Sequence, residues 1–334
     1  MVKAVEVVEG GSKEQLGFGG FMGLEPLAPW QELPYPDALL LTSGRACMAL
    51  ILDLEKPRRV HVPFYTCDTL LDPLVERGIE VVYYRMDDQL MPLGIPAPAA
   101  DELIILIDYF GVRSAAVRSL ALAIGPRAVI DSTHSFFTGP PPAGHYGFNS
   151  ARKFRGVPDG GFLFTPQHVE LKPTPNDRVH SDHLILRTLG SGEVVRKANR
   201  AHEERISTRI EGASEITRSL LHRLDHAEAR TKRLANFAAA HAVLGPQQSL
   251  SLDLEELVGP LCYPLMPHRA IDLAQVHAAG IFAARYWPDV PIRKGAEQFP
   301  EDVARTQRLI AFPIDQRYTP EETSERAWQL TRMR

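Results

Sequence analysis

Apolar runs alternate with short amphipathic stretches through the first half of the chain. "ALLL" (38–41) ends at Thr42, and beyond the turn Ser43-Gly44-Arg45 the residues Ala46, Ala49, Leu50 and Leu54 recur at helical spacing. "RRVHVP", an amphipathic stretch over 67–77 and "IEVVYY" read as strand, helix and strand, a βαβ unit with a right-handed crossover. "DELIILIDYFG" (101–111) is almost continuously apolar, as strands buried on both faces are. The helix "RSAAVRSLALAIG" and the strand "RAVIDS" follow it. Three strand–helix repeats by Asp131 predict a doubly wound, mostly parallel α/β sheet.

The pattern changes on either side of this block. Residues 1–36 are rich in Gly and Pro and read as an irregular arm lying over a neighbouring surface. The Gly17-Phe18-Gly19-Gly20 cluster misses the dinucleotide spacing G-x-G-x-x-G, because its sixth position is Met22 and no strand precedes it. Residues 182–243 read as long polar helices broken near Gly190, Gly212 and Leu224. His222 and His226 stand four apart there, without a flanking Glu or a third ligand, and read as a solvated helix face; no metal is expected. From 246 a smaller α/β unit is predicted, with a strand "LCYPLMP", a helix "HRAIDLAQVHAAGI", a strand "QRLIAFPID" and a final helix. That helix opens with Thr319 as N-cap, Pro320 at its first position and Glu322 completing a capping box. The expected domains are thus an arm (1–36), a large domain (37–245) and a small C-terminal domain (246–334).

Composition narrows the classes of function. The 334 residues carry a net charge of −4 with no Lys/Arg tract, which gives no electrostatic footing for nucleic acid or a membrane surface. Three widely spaced cysteines, Cys47, Cys67 and Cys262, make neither a disulfide framework nor a zinc pattern and fit a reducing compartment. The start "MVKAVEVVEGGSKEQ" lacks the apolar core of a signal peptide, and a cytoplasmic location is expected.

Two residues then stand out. Asp131 ends a buried strand, and Lys153 follows 22 residues later in a tight polar loop, "FNSARKFRGVPDGGFLF". An acid that protonates a pyridine nitrogen and an amine that forms a Schiff base are what an enzyme needs to hold pyridoxal phosphate. Taken singly, Asp131 reads equally as a turn cap with Ser132 or Thr133. Upstream, Ser43 and Gly44 at a helix start form an anion-ready turn, or simply a Ser N-cap. Phe64 and Tyr65 lie at the carboxyl end of a strand, where α/β sheets place ligands, and read as core aromatics or as packing for a planar cofactor. The "ARYWPDVP" loop brings Arg285, Tyr286 and Trp287 together, to line a substrate site or to pack against the first domain.

In this order the motifs resemble the DegT/DnrJ sugar aminotransferases, within the fold-type I pyridoxal-phosphate enzymes, in register over roughly 38–334. "LTSGRACMAL" looks like the family's phosphate turn, "VPFYTCDT" its Pro-x-x-Thr loop, "VIDSTHSF" its acidic strand end and "FNSARKFRGVPDGGFLFT" its lysine segment. "HAAGIFAARYWPDV" and "LIAFPIDQRYTPEE" resemble its small domain. The resemblance implies Lys153 as the Schiff-base lysine and proton shuttle, Asp131 on the pyridine nitrogen and His134 near the ring. It also implies Ser43, Gly44, Arg45 and Ser150 at the phosphate. The ring-stacking position falls on Cys67, with Tyr65 or Phe64 as substitute. The implied activity is amino transfer from an amino acid such as glutamate to a keto sugar, nucleotide-linked or free, in surface polysaccharide synthesis, by a homodimer. Two alternatives stay open: a non-catalytic or differently acting pyridoxal-phosphate protein on this fold, and a nucleotide-sugar-binding α/β protein without the cofactor.

Overall fold

The computed structural model describes residues 17–171, 173–190 and 192–333. In chain order its elements begin with β1 (Phe18–Gly19), β2 (Leu39–Leu41), α1 (Gly44–Glu55), β3 (Arg59–Pro63), α2 (Asp68–Glu76), β4 (Glu80–Met86) and β5 (Pro92–Leu93). β6 (Glu102–Ile107), α3 (Ser114–Ile124), β7 (Ala128–Asp131), β8 (Tyr146–Phe148) and β9 (Gly161–Phe164) complete a sheet of order β2-β9-β8-β7-β6-β3-β4-β5. The five strands from β8 to β4 run parallel; β9, β2 and β5 pair antiparallel at the two flanks. All six residues of β6 are buried, which is why its sequence shows no polar alternation.

The second half begins with α4 (Asp182–Leu189), α5 (Glu193–Arg205), α6 (Glu215–Leu221) and α7 (His226–Leu244). It ends with β10 (Tyr263–Leu265), α8 (Leu273–Ala278), β11 (Ile281–Phe282), α9 (Pro300–Arg308), β12 (Ile310–Phe312) and α10 (Pro320–Thr331). β10 and β12 pair antiparallel. The capping box at Thr319 and Glu322 is present and starts α10 where the sequence places it. α7 packs against α10, and Asn236 donates to the carbonyls of Ile314, Asp315 and Tyr318 at the adjoining turn. One apolar core runs from the large sheet into this smaller layer.

Several expectations change. The arm is not wholly irregular: Phe18 and Gly19 pair in parallel with Ile281 and Phe282 of the C-terminal part, and residues 1–16 lie outside the described residues. The helices over 182–243 break where predicted, but only α7, at 19 residues, is long. α8 begins at Leu273 instead of His268, because Asp272 accepts the Ala274 N–H at 2.9 Å and caps it there. His222 and His226 do not share a helix face. His222 stacks on Trp30 and pairs with the Gln31 carbonyl, while His226 pairs with the Leu221 carbonyl, so His222 joins the arm to the α6–α7 turn and His226 ties that turn to the end of α6. No helix among the described residues is long and apolar enough to cross a membrane.

Candidate active site

β7 delivers Asp131 to the carboxyl edge of the sheet, in register between Ile107 of β6 and Phe148 of β8. The side chain is buried, and its Oδ1 accepts the Thr133 N–H at 2.8 Å. Burial raises the carboxyl pKa, while the Lys153 charge and the Thr133 hydrogen bonds hold it down. Asp131 therefore caps its own turn and also lies within reach of the Lys153 charge.

Lys153 ends a 3-10 turn, Ala151–Lys153, in the connection between β8 and β9. The connection is less polar than its sequence suggests, since Phe148 to Ser150 are buried and Tyr146–Phe148 form a strand of their own. The Lys153 side chain is half-buried at the floor of a cavity of about 410 Å³. Burial lowers its pKa; Cys67, Asp131 and Glu203 favour the charged amine, and Arg152 opposes it. Structure thus brings Asp131, Cys67 and Lys153 within electrostatic reach of one another. The Cys67 sulfur also accepts the Thr69 hydroxyl at 3.1 Å.

The Ser43 turn sits beside them. Ser43 caps α1 by accepting the Ala46 N–H at 3.2 Å, and its carbonyl takes the Cys47 N–H. This leaves the N–H groups of Gly44 and Arg45 without partners among the described residues, as expected of a first helical turn. A Cβ on Gly44 would lie 3.3 Å from Thr133 and 3.5 Å from Phe148, so glycine keeps the space between α1 and the end of β7 open. The Arg45 side chain is already engaged with the Ile206 carbonyl at 2.7 Å and Asp72 at 3.7 Å, so its contribution to an anion is the backbone N–H and a nearby positive charge.

Two aromatic assignments need correction. Tyr65 is fully buried, facing Tyr109 and edge-on to Trp287, with the Arg305 guanidinium over its ring. Phe64 stacks on Phe299. Both belong to the core beneath the crevice, and neither lines the cavity at Lys153. His134 is 1% exposed and stacked between Phe110 and Trp287, with Tyr286 at 5.3 Å. Its Nδ1 accepts the Phe110 N–H at 3.4 Å, which places the imidazole proton on Nε2, and burial lowers its pKa well below the usual value. The "ARYWPDVP" loop turns its two aromatics to different surroundings. Trp287 packs on the first domain through His134, and Tyr286 lines the cavity.

The loop of Lys153 is held from outside by residues that sequence reasoning passed over. Glu25 accepts the Gly156 N–H at 2.8 Å, takes a hydrogen bond from Gln316 at 2.9 Å and faces the buried Arg155 at 3.5 Å. Gln316 also donates to the Phe154 carbonyl at 2.7 Å. A Cβ on Gly156 would lie 1.9 Å from the Gly23 carbonyl, so arm and loop touch backbone to backbone. The available signal was Glu25 itself, the only charged residue between Gly17 and Gln31.

No family model matches this sequence, and no curated protein matches it. Solved structures do. An aminotransferase of the DegT/DnrJ/EryC1/StrS type from Brucella abortus is 15% identical, with a TM-score of 0.61 over 88% of this chain and 85% of that one. This chain shares that protein's fold. Spr1654 from Streptococcus pneumoniae, in its PLP form, is 14% identical with a TM-score of 0.55 over 93% of this chain and 92% of that one. DesI with its TDP-sugar product is 14% identical with a TM-score of 0.57 over 88% of this chain and 79% of that one. The architecture is that of the fold-type I transferases, as the sequence resemblance implied.

The residues present fit pyridoxal phosphate on chemical grounds. Gly44 leaves an open cradle at two N–H groups unpaired among the described residues, and the Arg152 charge is near enough to act on Arg45. Ser43 and Ser150 stand at the same edge, and a carboxylate and an amine face one another across the crevice. An anion, a basic ring nitrogen and an aldehyde would each find a complement there.

Proposed function

We propose that this protein is a pyridoxal-phosphate-dependent aminotransferase that moves an amino group from an amino acid such as glutamate to a keto sugar. The observation that carries this reading is the facing of Asp131 and Lys153 beside the open first turn of α1. Bound pyridoxal phosphate would supply an electron sink for ionising a C–H bond of the substrate. Ser43, Ser150 and the N–H groups of Gly44 and Arg45 bind the phosphate end. Asp131 holds a proton toward the ring nitrogen, and Thr133 keeps its carboxyl aimed. Lys153 Nζ, with its pKa lowered by burial, would accept a proton from the substrate carbon and deliver it to the carbon on the far side of the amino nitrogen. Neutral His134 acts as a donor through Nε2 and takes up no proton. By the same reading the protein works as a cytoplasmic homodimer on a nucleotide-linked sugar of surface polysaccharide synthesis.

The test is labelling. The protein is incubated with pyridoxal phosphate, dialysed, reduced with borohydride and mapped by peptide. A yellow protein modified at Lys153, and colourless as Lys153→Ala, supports the proposal; added glutamate then bleaches it to the pyridoxamine form. A colourless wild-type protein with unmodified Lys153 would sink it.

A further inference from the structure

The cavity over Lys153 is lined by two acids, Glu203 and Asp315, and by two arginines besides the lysine, Arg152 and Arg233, and the ion pairs among them are unequal. Glu203 is bridged by Arg152 through both oxygens, at 2.6 and 3.3 Å. Asp315 is bridged by Arg317 in the same way, at 2.6 and 2.9 Å. Both acids that line the cavity are therefore already matched.

Arg233, on α7, differs. It is 1% exposed and lines the same cavity. Its Nε donates to Gln316 Oε1 at 2.8 Å, and its Nη1 to the carbonyls of Pro260 and Leu261 at 3.2 and 3.0 Å. Every one of these acceptors is neutral. Its Nη2 has no hydrogen-bond partner among the described residues, and no carboxylate there lies within the 4.0 Å of an ion pair. The Phe154 ring, 4.7 Å from the guanidinium carbon, fixes the plane of the fork. Burial lowers the pKa to about 10, which leaves the group charged at neutral pH. Cys262 feels the charges of both Arg233 and Lys153, so the two cations flank one space. Asp315 and Glu25 offset its charge only from beyond ion-pair distance, and a buried guanidinium with no carboxylate in direct contact, beside a reactive amine, calls for a ligand that completes it.

We propose that Arg233 is the seat for a carboxylate of the amino-acid donor, received by its open Nη2. The identity of the ligand rests on the aminotransferase reading above; the existence of an anion seat does not. With Lys153 committed to the cofactor, Arg233 is the cation left in the cavity for substrate. Its three saturated N–H bonds hold the fork still, so the fourth direction is pre-aimed.

The full-length protein, without added cofactor, is titrated calorimetrically with L-glutamate, L-glutamine and L-isoglutamine, which lack neither carboxylate, the side-chain carboxylate and the α-carboxylate respectively. One of the two amides is expected to bind about 10- to 100-fold more weakly than glutamate, the range for a hydrogen bond to a charged group. Which amide fails tells which carboxylate Arg233 holds. In Arg233→Lys, and in Arg233→Met where it folds, the gap shrinks to within about 3-fold, because the fork that discriminates is gone. The wild-type amide series stands even if neither variant folds.

Equal binding of all three ligands, an unchanged gap in Arg233→Lys, or no glutamate binding up to about 10 mM, well above ordinary substrate ranges, overturns the inference. So does TDP that displaces glutamate from wild type but binds Arg233→Lys more weakly, since the arginine would then serve a phosphate. A protein that never turns yellow yet shows the amide gap refutes the cofactor reading and leaves the anion seat; a yellow protein without the gap does the reverse.

Discussion

Glu25 offers the sharpest perturbation, because it is remote in sequence from everything it touches. In Glu25→Ala the Gly156 N–H loses its acceptor, Gln316 Nε2 loses one of its two, and Arg155, at 2% exposure, loses the carboxylate 3.5 Å from its Nη1. A buried cation cannot move to water without dragging its loop. Stranding one costs about 3–5 kcal/mol, and an orphaned buried N–H adds on the order of 1–3 kcal/mol. The two losses overlap at one site, so about 3–5 kcal/mol is the expected total. With a urea slope of about 3 kcal/mol per molar, the midpoint falls by about 1 M or more. The double variant Glu25→Ala/Arg155→Met removes the stranded charge and should regain a large part of the loss, a coupling of at least about 2 kcal/mol in the cycle. Cofactor retention should fall with Glu25→Ala alone, since Lys153 lies three residues from Gly156 on the loosened loop. A Glu25→Ala loss below about 1 kcal/mol, or a strictly additive cycle, would refute the claim that the arm clamps this loop.

Three further outcomes are expected. Asp131 has a raised carboxyl pKa, so its favourable protonated form is complete below the unfolded value of about 3.9 and is lost as pH rises through the higher folded value. Asp131→Asn should therefore stabilise the cofactor-free protein at pH 7, with a gain that shrinks on acidification; urea midpoints across pH measure it, and a gain independent of pH counts against the assignment. His183 and His202 stack at 4.0 Å and are both lowered to about 4 by burial, so the native state binds fewer protons than the unfolded chain between there and 6.5. Stability present above pH 6.5 should drain away as pH falls, and His202→Gln should flatten that slope in acid-unfolding curves. Gly156→Ala should push the arm off the loop, because the new Cβ meets the Gly23 carbonyl at 1.9 Å; limited proteolysis within 17–31 should quicken, and unchanged cleavage would argue that the arm adapts.

The elements that sequence could deliver were those with a period or a cap. β6 announced itself by five apolar residues in a row, Leu103 to Ile107, and α10 by Thr319, Pro320 and Glu322. Ser43, Asp131 and Lys153 were legible because strand ends and helix starts of a parallel sheet converge on one edge. β1, β8 and β11, at two or three residues, are too short to show alternation and exist because a partner strand is present. Tyr65 misled because a strand end does not say which way an aromatic turns; here Tyr109, Trp287 and Arg305 fill the space around it. The cage about His134 and the open Nη2 of Arg233 are tertiary facts, made by residues more than a hundred positions away or by carbonyls with no sequence signature.

The parallel pairing of Phe18 with Ile281 sets an order of events at the ribosome. The strand that anchors the arm is synthesised long before its partner, and the hydroxyl of Tyr318 that takes up the Gly19 N–H lies 299 residues downstream. The large sheet, whose strands are all made by Phe164, has its neighbours to hand much earlier. The lysine loop consequently spends most of translation without its clamp, and Gln316, which bridges Glu25 and Phe154, arrives only with the last turn before α10. Such long-range closure is slow to form. A nascent chain stalled before Gln316 should therefore carry a built sheet and an unclamped lysine loop, so that the site is completed only by residues made long after the sheet itself.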